Sequence, residues 1–214
     1  MSRLVLFDLD GTLVDSTPGI WTSLRLTAAE LGLPEPTPDQ LRAMVGPPLE
    51  DGFAAVLGLT GDDVGRAVLA YRAHYTAGAM YDATVYTGVP ELLAGLRAGG
   101  ALLAVATSKP EPIAVRVLAH VGLLAAFDSV HGATLDGTVR HKAQVVAAAL
   151  AAHPDGVRPL LIGDRSHDVL GARAHGLPCI GAGWGPAPPG ELAAAGAAVV
   201  VDTPAGVPAA LAAL

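Results

Sequence analysis

Short runs of Val, Ile and Leu punctuate the chain, each stopping at a polar or glycine residue: Leu4 to Phe7, Leu102 to Ala106, Leu160 to Ile162 and Cys179 to Gly181. Weaker runs lie at Ser129 to Val130 and Val199 to Val201. Their apolarity is continuous rather than alternating, which marks strands covered on both faces by crossover helices. Helix signals fill the intervals: Pro90 opens a segment closed by Gly99 and Gly100, Pro110 and Pro112 open the next, and an Ala-rich stretch runs from about His141 to Ala152. The alternation predicts an α/β fold built on a parallel sheet.

One interval breaks this rhythm. After the first strand no second one is expected until Leu102, and residues 15–84 read as helices only, with Trp21, Leu24, Leu31, Val64, Val68, Tyr71 and Tyr75 at helical spacing and a Pro-rich connection from Pro34 to Pro38. An insertion there predicts a small all-helical domain over the carboxyl ends of the sheet, where such folds bind ligands. Residues 1–14 and 85–214 then form the α/β core.

Charge narrows the partners. With 13 basic against 20 acidic side chains and a net charge of -7, the 214-residue chain has too few cations to neutralise a run of phosphates. Neither nucleic acid nor a membrane surface is expected as a partner. The mean hydropathy of +0.47 comes largely from Ala, and no run approaches the ~20 strongly apolar residues of a spanning helix. Asp8 stops the first apolar run before a secretory segment could form, and a lone Cys allows no internal disulfide. A cytoplasmic protein, a monomer or a weak homodimer, is the expectation.

Two carboxylates leave the first strand together, in Asp8-Leu9-Asp10-Gly11-Thr12. A calcium loop of the EF-hand kind would need its Gly at position 6 and flanking helices, and an Asx turn would explain one Asp but not two. The fourth strand ends in Gly163-Asp164-Arg165-Ser166-His167-Asp168. Asp164 at the strand end and Asp168 one helical turn on both reach the sheet edge where Asp8 and Asp10 emerge. Four carboxylates so close repel one another unless a hard cation joins them, and an all-oxygen donor set suits Mg²⁺. The seven His have no paired spacing with Cys, so zinc is not expected.

Thr107-Ser108-Lys109 ends the second strand, and Lys142 opens the helix after the third. Eleven Arg and only these two Lys suggest that a compact point charge is wanted beside the carboxylates. Lys109 reads equally as a solvated helix-start residue. Thr107 is either the N-cap of the following helix or a hydroxyl for a phosphate oxygen.

Asp8, Asp10, Thr107, Lys142, Asp164 and Asp168, in this order and with a helical insertion, resemble the haloacid dehalogenase superfamily of phosphatases. The runs Asp8 to Ser16, Val45-Gly46-Pro47-Pro48-Leu49 and Ile162-Gly163-Asp164 are similar to its phosphoglycolate phosphatase and 5′-nucleotidase branch. The resemblance implies a Rossmann-like core with a helical cap that sets substrate specificity, and a small phosphorylated substrate. It further implies that Asp8 attacks phosphorus to form an aspartyl-phosphate, while Asp10 is the neutral acid that protonates the leaving oxygen and then activates water. Asp8, the Asp10 carbonyl and Asp164 would ligate Mg²⁺ with support from Asp168. Thr107, the Ser108 amide and Lys142 would hold the phosphoryl oxygens.

Rival readings separate on the residues. A receiver domain would accept phosphate on its third strand, which here ends near His131 without a carboxylate. Gly181-Ala182-Gly183-Trp184-Gly185 fails as a dinucleotide fingerprint because Pro186, Pro188 and Pro189 delay the next helix, and neither Lys sits in a P-loop. Within the superfamily, the second Asp argues against a dehalogenase and a Lys-free cap against a phosphonatase. A sugar-phosphate mutase is the remaining alternative, although Pro47, Pro48 and Leu49 occupy the place where such relatives carry a basic residue. Arg25, Arg42, Arg66 and Arg72 read as solvated helix faces, Trp21, Met44 and Phe53 as insertion core, and Cys179 as a buried hydrophobe.

Overall fold

Arg3–Phe7 (β1) is buried from Leu4 onward, as its unbroken apolarity requires. The computed structural model describes residues 2–214 and carries seven further strands: Val14–Asp15 (β2), Thr84–Val85 (β3), Leu102–Pro110 (β4), Ser129–Ala133 (β5), Val157–Gly163 (β6), Cys179–Ala182 (β7) and Val199–Val201 (β8). Six of them form one sheet in the order β5-β4-β1-β6-β7-β8, every pair parallel. β1 lies between β4 and β6, with Phe7 opposite Val105 and Ile162. The residues that follow β1 and β6 therefore leave the sheet side by side.

The chain divides into two compact units. One comprises the residues up to Asp15 with Val85–Leu214, the other Ser16–Thr84. The second unit holds helices Thr17–Glu30 (α1), Pro38–Ala43 (α2), Leu49–Leu57 (α3) and Asp62–Thr76 (α4). The first holds Val89–Ala98 (α5), Glu111–His120 (α6), Lys142–Ala152 (α7), Ser166–Arg173 (α8), Glu191–Ala195 (α9) and Val207–Ala213 (α10). β2 and β3 form a separate two-stranded sheet, which the sequence reading took as helix or loop. Two residues each are too few to show a period.

In the helical unit Leu24, Leu41, Met44, Phe53, Val68, Tyr71 and Tyr75 are buried. Phe53 meets Tyr71 edge to face at 6.4 Å, and Tyr71 stacks on Tyr75 at 5.4 Å. Trp21 and Leu31, expected in this core, are half-buried, and Arg25 lies 5.8 Å over the Trp21 ring. Arg25, Arg42 and Arg66 pair with Glu35, Asp39 and Asp63 on the surface. Arg72 is instead half-buried and ties α4 to Glu50 of α3 at 3.5 Å.

β4 runs past the expected Ala106, and its pairing with β5 shifts register between Thr107 and Pro110. Gly132 makes that shift possible, because a Cβ there would collide with the main chain of Lys109 and Glu111. On edge strand β5, the Ser129 hydroxyl lies 2.8 Å from His131 Nε2 and 2.7 Å from His153 Nε2. Burial holds His131 below its ordinary value, with Glu111 opposing and His153 reinforcing the shift. The unfolded chain thus binds the His131 proton first, and this group's contribution to stability falls as pH drops below about 6.5. Comparing urea midpoints from pH 8 to pH 5, His131→Phe should therefore gain stability relative to the unaltered protein as the pH is lowered.

Candidate active site

Parallel strands deliver their next residues to one edge, and Asp8, Thr107 and Asp164 occupy that edge on β1, β4 and β6. The Asp8 amide donates to the Ile162 carbonyl at 2.9 Å, which carries the ladder one step beyond the strand. Asp168 lies in the first turn of α8, where its Oδ2 accepts from the Arg165 amide at 3.0 Å. Ligand atoms of Asp8, Asp164 and Asp168, all buried, fall within 4.8 Å of one another. Asp10 is not in that group: its Oδ1 lies 2.6 Å from Lys109 Nζ.

Lys142, the first residue of α7, reaches the cluster from the other side. Its ammonium lies 2.7 Å from Oδ1 of both Asp8 and Asp168 and donates to the Ala106 carbonyl at 2.9 Å. Both carboxylate contacts are ion pairs. A Cβ on Gly171 of α8 would overlap the Lys142 stem, so the glycine leaves the channel through which the side chain passes. Burial alone would discharge this ammonium, but Asp168 and Asp8 outweigh it and push its pKa up.

Burial is also the first cause acting on the acids. It raises Asp8 to about 6, with Lys142 opposing and Asp168 reinforcing. Asp164 is pushed well above the usual carboxylate range, again by burial and then by Asp168 and Asp8. Asp10 is buried as well, with its carboxylate against Lys109.

Asp164 is held by residues whose role the sequence did not reveal. The buried Thr12 hydroxyl donates to its Oδ1 at 2.9 Å, while its Oδ2 is buried without a hydrogen-bond partner. Gly11, at φ 85°, packs so close that a Cβ would overlap this carboxylate. The Trp184 indole donates to the Thr12 carbonyl at 3.0 Å, which pins the Pro-rich loop to the Asp8–Thr12 turn. Glu191 accepts from the Ser166 amide at 2.7 Å and Arg165 Nε at 3.0 Å, and these donors outweigh burial and lower its pKa. Thr12 stands inside the quoted motif and was legible as polar and adjacent, whereas nothing near Glu191 in sequence links it to Arg165 and Ser166.

Thr107 is buried, and its Oγ1 accepts from the Lys109 amide at 3.2 Å. It does not cap α6, whose N-cap is Pro110. The Ser108 hydroxyl is buried without a partner. Lys109 is not solvated: its side chain is 6% exposed. Cys179 is buried and burial pushes its thiol up, so it is an inert core residue.

An acidic cluster at the carboxyl edge of a parallel sheet, with a helical insertion after the first strand, defines a class. Residues 5–182 match the haloacid dehalogenase-like hydrolases, and the chain belongs to that family. It is 45% identical over 184 residues to tyrosine-protein kinase PtkA of Mycobacterium tuberculosis, covering 86% of this chain and 62% of that relative. The chain thus spans less than two thirds of the mycobacterial protein. To a 5′-nucleotidase of Pseudomonas aeruginosa it is 39% identical over 182 residues, covering 85% of this chain and 82% of the relative. The crystal structure of a predicted phosphatase from Clostridium acetobutylicum superposes with a TM-score of 0.94 at 34% identity, over 100% of both chains. The expected α/β fold on a parallel sheet is the one this protein shares with that crystal structure.

Replacing Thr12 by Val keeps its shape and strips Asp164 of its hydroxyl donor. Chemical denaturation should register a loss of about 1–3 kcal/mol, and Thr12→Ser should recover most of it.

Proposed function

We propose that this protein is a Mg²⁺-dependent hydrolase of small phosphomonoesters, of the phosphoglycolate phosphatase or 5′-nucleotidase kind, that works through a phosphoryl group carried on Asp8. The observation that carries this reading is the setting of Asp8: buried at the end of the central strand, clustered with Asp164 and Asp168, and 2.7 Å from Lys142.

Three carboxylates faced by one ammonium leave negative charge unmet, and the buried Asp164 Oδ2 has no donor. A hard divalent cation with oxygen preference fits that set. Asp8, Asp164 and the Asp10 carbonyl would hold it, supported by Asp168. Bound there, it offsets the charge of the carboxylates and of a phosphate together.

The remaining chemistry belongs to the side chains. An Asp8 oxygen attacks phosphorus, the bond to the ester oxygen breaks, and Asp10 gives that oxygen a proton. Asp10 then takes a proton from the water that attacks phospho-Asp8, which releases phosphate and restores both acids. Thr107, the Ser108 amide and Lys142 stabilise charge on the phosphoryl oxygens. Water is the acceptor in this reading because the 5′-nucleotidase is matched over most of its length, whereas the relative named a tyrosine kinase is matched over 62% of it.

A screen of phosphoglycolate, nucleoside monophosphates and sugar phosphates should show Mg²⁺-dependent phosphate release that a chelator abolishes. Asp8→Asn should lower kcat by more than about 10³-fold. A variant retaining wild-type rate would remove Asp8 as nucleophile, and traced phosphate found on a sugar hydroxyl rather than in water would turn the assignment to a mutase.

A further inference from the structure

The chain contains two lysines, and each is buried against one acid of the Asp8/Asp10 pair. Lys142 has a role in the reading above; Lys109 has none. Its ammonium lies 2.6 Å from Asp10 Oδ1, with the two side chains 6% and 12% exposed. A buried ion pair of this kind returns little net stability, because desolvation offsets the attraction. The main chain is nonetheless shaped to deliver it. The Lys109 amide donates to Thr107 Oγ1, the register of β4 shifts at this point, and Gly132 is bare where any Cβ would strike the Lys109 carbonyl.

Resting on the hydrolase reading, we propose that Lys109 is a positioning residue for Asp10, fixing its carboxyl group for proton delivery to the leaving oxygen. An ammonium only donates, so Oδ1 is committed as its acceptor and the transferable proton must reside on Oδ2. One orientation of the carboxyl group is thereby selected. In the step concerned, an Asp8 oxygen bonds to phosphorus, the ester P–O bond breaks with its electron pair passing to the leaving oxygen, and the Oδ2 proton moves to that oxygen.

This role has a signature that a structural ion pair lacks. Benzyl phosphate expels an alkoxide and needs the proton, whereas p-nitrophenyl phosphate, of similar bulk, expels a phenolate that leaves without it. The quantity to compare is kcat/KM, which reports the steps up to phospho-Asp8 and omits its hydrolysis. Lys109→Met should lower kcat/KM for benzyl phosphate by about 100-fold and for p-nitrophenyl phosphate by less than about 3-fold. Lys109→Arg, which keeps the charge and the donor, should restore part of the loss. In an Asp10→Asn background Lys109→Met should add little for either ester.

Equal losses with the two esters, or a full additional loss in the Asp10→Asn background, would overturn the assignment and leave Lys109 as a structural or phosphate-contacting group. Should Lys109→Met fail to fold, Lys109→Arg decides alone: a selective defect on benzyl phosphate supports positioning, and equal rates on both esters or equal losses refute it. A wild-type protein that hydrolyses neither ester nor any metabolite would instead remove the hydrolase reading, and this assignment with it.

Discussion

Lys142 is the interaction on which the site depends. One side chain joins the start of α7 to Asp8 after β1, to the carbonyl of Ala106 in β4, and to Asp168 in α8. Without that ammonium, Asp8 and Asp168 would lose the cation that lies 2.7 Å from both, and burial would raise Asp8 further. With it, burial raises Asp8 only to about 6, because Lys142 pulls the other way. The ammonium thus favours the charged form of a carboxylate inside an environment that disfavours charge.

The parallel sheet is what makes such crowding mechanically possible. β1, β4 and β6 are adjacent and co-directional, so their ends meet at one edge without any side chain having to reach far. Close approach then becomes the difficulty, and residues without side chains resolve it. Gly11 and Gly171 leave the space that the Asp164 carboxylate and the Lys142 stem occupy. Apolar packing behind the edge, from Leu4, Leu6, Ala104, Ala106, Val145 and Leu161, is fully buried and gives the charged groups a wall that does not yield.

Much of this was legible in the sequence because it has a period or a motif. Strands buried on both faces show as unbroken apolar runs, and the β-free interval announced the helical insertion. The Asp pair and the GDxxxD string located four buried acids and, with Lys142, most of the edge. What escaped has no local signature. β2 and β3 are two residues each. The bond from Thr12 to Asp164 spans 152 positions, and the contact between Lys109 and Asp10 spans 99. A residue type alone cannot report such a partner, and Lys109 therefore read as well for a solvated helix start as for a site residue. Spacing shows that carboxylates crowd together, but only three-dimensional burial shows how strongly Asp8 and Asp164 are pushed upward.

The division of basic residues follows from the same physics. Several guanidinium groups in this chain lie on the surface or between helices, as with Arg66 on Asp63 and Arg72 on Glu50. A planar five-donor fork suits such places, where several acceptors or water can satisfy it. At the edge of the sheet Gly171 leaves a channel for the Lys142 stem, and Gly132 lets the main chain of Lys109 and Glu111 pass close by. The acids converge because the strands do, and bare glycines make the room in which the two lysines reach them.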